Sequence, residues 1–114
     1  MYEELREDGT TRIVGDLADL KNQKFISDMW KVLDDAGNLL LSKHKDYGPT
    51  NISNAPGGAL NGLRVRMHDK TARINHLIDN GATPENESLR DSFVDLLNYS
   101  AIAIMVLEGN WPNA

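Results

Sequence analysis

The chain has 114 residues and a mass of 12.7 kDa, which leaves room for one hydrophobic core and little more. Apolar residues make up 40% and charged residues 25%, a balance that folds, while a net charge of −5 excludes a general binder of the nucleic-acid backbone, which needs a basic surface to displace counterions. Cysteine is absent, so disulfides, thiolate metal sites and cysteine nucleophiles are excluded together, as expected of a cytoplasmic protein.

Residues 1–16 are polar, with Gly9 and Gly15, and show neither the basic nor the apolar region of a secretion signal. Their one β-leaning stretch is 10–14, and residues 1–20 are expected to form an N-terminal arm before a domain at 21–109 and a tail at 110–114. A first helix is predicted over 22–44, where Ile26, Met29, Trp30, Leu33, Ala36 and Leu40 recur at helical spacing; Gly37 weakens it or marks a close helix crossing. Residues 47–58 are dense in turn formers and are expected to be a lid loop. A second helix is predicted over 60–78, with Leu63, Met67, Ile74 and Ile78 on one face and Asn80-Gly81 as its stop. A third begins after Pro84, at Asn86 or Ser88, and runs to Leu107. Its stretch 93–107 falls short of the ~20 residues of a membrane span and reads as a buried helix, apolar on more of its circumference than two companions can cover. The expected fold is therefore all-α: three main helices behind an N-terminal arm, in a bundle completed by homo-oligomerisation, with a dimer as the expected form.

On a wheel of about 100° per residue, Glu87, Asp91, Asp95 and Asn98 of the third helix share a sector roughly 80° wide. Asp95 and Asn98 lie among apolar neighbours, so they must meet a polar cavity, a metal or a compensating charge. Arg66, Lys70 and Arg73 sit at i, i+4 and i+7 of the second helix. A short connection folds this helix back on the third, placing Arg73 near Asp91 and Lys70 near Asp95. These stripes are either interhelical ion pairs or a site, with Glu87, Asp91 and Asp95 binding Mg²⁺ and Arg66, Lys70 and Arg73 holding phosphates. Lys45, Asp46 and Tyr47 stand beside the long loop, with Tyr47 available to stack on a base. Lys43 complements the dipole at the end of the first helix, Trp30 is expected in the core, Trp111 is expected as a docking anchor, and the three histidines share no metal-ligand spacing.

Three ordered blocks carry a resemblance: Lys45-Asp46-Tyr47-Gly48; Gly62-Leu63-Arg64-Val65-Arg66-Met67-His68-Asp69-Lys70-Thr71-Ala72-Arg73; and Glu87-Ser88-Leu89-Arg90-Asp91-Ser92-Phe93-Val94-Asp95-Leu96-Leu97-Asn98-Tyr99. Over roughly residues 39–108 the chain resembles the nucleotide-modification-associated domain 1 family of tailed phages and bacteria, which is distantly similar to the all-α, MazG-like nucleoside triphosphate pyrophosphatases. The resemblance implies phage-type nucleotide metabolism, in the host cytoplasm if the chain is phage-encoded, with Mg²⁺ as candidate cofactor. Those pyrophosphatases hold Mg²⁺ through E-x-x-E on one helix and E-x-x-D on the next. The predicted helices here lack E-x-x-E, and the second carries cations where the relative places carboxylates.

Two functions of different class follow. One is a Mg²⁺-dependent nucleotide pyrophosphohydrolase, with Glu87, Asp91 and Asp95 as metal ligands and Lys45, Asp46, Tyr47, Arg66, Lys70, Arg73 and Asn98 on the substrate. The other is a noncatalytic nucleotide binder that sequesters a nucleotide or assists a modifying enzyme; a purely structural oligomer is the third alternative. Four or more carboxylates converging on one point favour catalysis, whereas two or three paired with arginines favour binding.

Overall fold

The computed structural model describes residues 2–15 and 22–114, and the chain divides into two compact units, one ending at Asp35 and one spanning Ala36–Ala114. In the first, β1 (Tyr2–Leu5) and β2 (Thr11–Gly15) pair antiparallel, with Glu3 opposite Ile13, Glu4 opposite Arg12 and Leu5 opposite Thr11. Their turn is closed by Arg6 N–H donating to Thr10 O at 2.7 Å, and by Asp8 accepting from the Thr10 amide and hydroxyl. The expected arm is thus a hairpin as far as Gly15, and residues 16–20 of that arm lie outside the described residues. Arg12 ties this unit together: it pairs with Glu4 across the ladder and with Asp34 on the first helix, and both it and Arg6 lie over the Trp30 ring at 5.2 and 5.4 Å. Trp30, expected in the core, serves here as the face of a cation–π contact.

Helix α1 (Gln23–Tyr47) begins in the first unit and runs on into the second, three residues past the predicted end. Gly48 stops it: at φ +68° this residue occupies the left-handed region that a side chain strains, and its N–H donates to His44 O at 2.8 Å.

In the second unit, α3 (Ala59–Asp79) and α4 (Glu87–Leu107) form the predicted antiparallel hairpin, within a residue or two of the predicted ends. Asn86 caps α4, its side chain accepting from Leu89 N–H at 3.0 Å, an interaction of about 1 kcal/mol. The core is small: Ile52, Ala59, Leu63, Ile102 and Trp111, with Leu40, Tyr99 and Val106 packed against it. Ser92 and Asn98 are the buried polar residues; Ser92 satisfies its hydroxyl on Ser88 O, and Asn98 donates to Ala36 O at 3.0 Å.

Two expectations are corrected. Residues 47–58 are not a free lid, because they contain a four-residue helix, α2 (Thr50–Ser53), whose Ile52 is sunk in the core. Trp111 Nε1 donates to Pro49 O at 3.2 Å and Ser53 Oγ donates to Pro112 O, so the C-terminal residues fasten this segment down. The turn-former composition concealed a segment with one strong apolar anchor. The stretch 93–107 is also not fully buried: Phe93, Leu97, Ile104 and Leu107 are 37% to 71% exposed. Spaced by four, seven and three, they share one face of α4.

Candidate functional site

A cleft of about 290 Å³ lies entirely within the second unit, walled by the end of α1, the α2 segment, α3, α4 and Trp111. Its position follows from local structure. Gly48 turns the chain sharply after Tyr47, leaving Lys43, His44 and Tyr47 on the last turns of α1 along one edge. Gly62 lets the segment before α3 approach closely, since a Cβ there would stand 2.5 Å from Ala55 Cβ, so Gly62 has a steric as well as a helical role. The next turn of α3 then brings Arg66 to the opposite wall, and α4 supplies Asp95, Asn98 and Tyr99.

The charges are arranged asymmetrically. Asp95 is 16% exposed and accepts from Lys70 at 2.8 Å on one oxygen and from Lys43 at 3.1 Å on the other. Partial burial pushes its carboxyl up, but the hydrogen bonds from Lys70 and Lys43 outweigh that and hold it below the ordinary aspartate range. Arg66, half-buried, has no carboxylate partner among the described residues. Its guanidinium donates to Asn51 O at 3.3 Å and lies 6.0 Å from the Tyr99 ring centre, which leaves its charge uncompensated beside the cleft. Aromatic surface comes from Tyr47 at the mouth, Tyr99 and Trp111; His44 meets the Trp111 ring edge-on at 5.2 Å, and its Nδ1 is buried without a hydrogen-bond partner.

Of the sequence-predicted site residues, Tyr47, Arg66, Asp95 and Asn98 line the cleft, and Lys70 reaches it through Asp95. The Lys70–Asp95 pair is the one the facing stripes predict, whereas Arg73 and Asp91 are both exposed with no ion pair between them. Lys45, Asp46 and Glu87 are likewise exposed and outside the lining. Among the described residues, no three His, Asp or Glu side chains come together in a group that could hold a metal ion. Lys43, His44 and Trp111 also line the cleft and are not among the residues expected there. Lys43 reads from sequence as a helix-dipole cation, and nothing local in sequence brings Trp111 back against Pro49.

The sequence pattern of nucleotide modification associated domain 1 matches residues 43–107, more than half of the chain. The chain belongs to that family. No curated protein and no solved structure matches it. Of the nucleotide modification associated domain's cleft, only Leu40 and Trp111 stand outside the matched stretch, so the family's defining segment and the cleft are nearly the same object. Among the described residues, no helix is long and apolar enough to cross a membrane.

Proposed function

We propose that the chain is a noncatalytic binder of a phosphorylated nucleotide, with the phosphate on Arg66 and Lys43 and the base against Tyr47. The observation that carries this reading is Arg66: a half-buried guanidinium with no carboxylate partner, in an aromatic-walled cleft of a chain with net charge −5. A planar cation held in that way suits an anionic oxygen cluster better than it suits a packing role. Binding is favoured over Mg²⁺-dependent hydrolysis because one carboxylate, Asp95, lines the cleft and both its oxygens are engaged by lysines. Glu87 and Asp91 lie about 12 Å and 6 Å back from Asp95 along the helix by its rise per residue, on exposed turns.

Calorimetric titration of Arg66→Ala tests the reading. A charge-assisted contact contributes roughly 1.5–3 kcal/mol, so nucleotide affinity should fall by about tenfold or more with the melting temperature little changed. Replacing the exposed His76 should leave affinity unaltered. If no common nucleotide binds the unaltered protein more tightly than millimolar, the reading fails.

A further inference from the structure

Resting on the nucleotide reading above, we infer that the ligand is a nucleoside monophosphate rather than a di- or triphosphate, and that Asp95 competes with its phosphate for Lys43. The charge count comes first. Lys70, outside the lining, pairs with Asp95 and neutralises it, which leaves Lys43 and Arg66 as two positive charges of the cleft, the complement of a phosphate monoester, which carries about −1.5 to −2 at neutral pH. Each further phosphoryl group adds negative charge that no cation of the cleft meets: Lys45, Arg64 and Arg73 are exposed and outside the lining.

Size points the same way. At about 290 Å³ the cleft lies at the lower bound of the roughly 300–1,000 Å³ typical of small-molecule sites. For the nucleoside half the cleft offers the aromatic rings of Tyr47 and Trp111. The carbonyl of Asn51 and the ring of Tyr99 hold the Arg66 guanidinium in place for the phosphate.

The role of Asp95 follows from its two bonds. With Lys70 at 2.8 Å and Lys43 at 3.1 Å, the weaker contact is to the more exposed lysine, so an incoming phosphate draws Lys43 away and leaves the Lys70 pair intact. Asp95 then acts as a built-in counter-anion that lowers affinity for the ligand. If it were a metal ligand for a triphosphate, its loss would have the opposite consequence.

Calorimetry of the unaltered chain against mono-, di- and triphosphates of the common ribo- and deoxyribonucleosides, with and without Mg²⁺, tests the ligand class. We expect a monophosphate to bind at least as tightly as the triphosphate of the same base, with no gain from Mg²⁺. A triphosphate that binds more tightly than its monophosphate, or binding that requires Mg²⁺, overturns the monophosphate assignment while the nucleotide reading stands. No binding by any nucleotide overturns both. Asp95→Asn, checked for folding by circular dichroism, should tighten monophosphate binding several-fold, and Tyr47→Ala should weaken it; loss of binding in Asp95→Asn overturns the counter-anion role.

Discussion

The two units of this chain are held by different physics. In the first, the hairpin is fastened to α1 by Arg12 with Glu4 and Asp34 and by guanidinium contacts to Trp30. The second is organised around a small apolar core that includes Leu63, 1% exposed, and its two buried polar residues, Ser92 and Asn98, are hydrogen-bonded. The difference teaches where perturbations should be felt. Contacts between exposed charges are weak and screened by salt, whereas apolar burial is largely insensitive to salt and costly to undo.

The comparison breaks most visibly at Leu63. Leu63→Ala removes a fully buried side chain and should destabilise the second unit by about 2–5 kcal/mol in urea denaturation, with nucleotide binding lost as the cleft collapses. Gly62→Ala comes next: the new methyl meets Ala55 Cβ at 2.5 Å, so the α2 segment must shift, at a cost of roughly 1–3 kcal/mol despite alanine's higher helix propensity. Thermal melts of the two variants rank them. A smaller loss at Leu63 than at Gly62 would mean that the core is not the main support of this unit.

Acid supplies a subtler test. The Asp95 carboxyl is held below its ordinary value, so its contribution to stability is fully present above the unfolded-state pKa of about 3.9 and is lost as pH falls through the lower folded-state value. Melting of the unaltered protein should therefore decline below about pH 4 more steeply than melting of Asp95→Asn. The smallest effect is expected in the first unit. Arg12→Ala should speed hydrogen exchange in the β1–β2 ladder and remove its salt sensitivity, while urea unfolding of the second unit stays unchanged.

Much of the fold was legible because helical periodicity, the Asn86 cap and the Asn80-Gly81 stop are local signals written within a few residues. The β1 strand was less so: Tyr2-Glu3-Glu4-Leu5 lacks the β-branched residues that mark strands, and it is defined by its pairing with β2. The site was half legible. Spacing alone put Arg66 and Lys70 on one flank of α3 and Asp95 and Asn98 on one stripe of α4, and the short connection implied that Lys70 would meet Asp95.

Sequence by itself therefore determined the helices, the family and the candidate faces, since each depends on residues close together in the chain. Tertiary structure alone decided which turns of those faces matter. A stripe along α4 extends about 6 Å every four residues, and only its Asp95–Asn98 part reaches the cleft, leaving Glu87 and Asp91 in the open. It also decided that Lys43 and His44 line the cleft, and that residues 47–58 are fastened rather than free, because Trp111 and Pro112 return across some sixty residues to bond with Pro49 and Ser53. No local pattern encodes a contact of that range; it arises when Ile52, Leu63, Ile102 and Trp111 bury their apolar surface together.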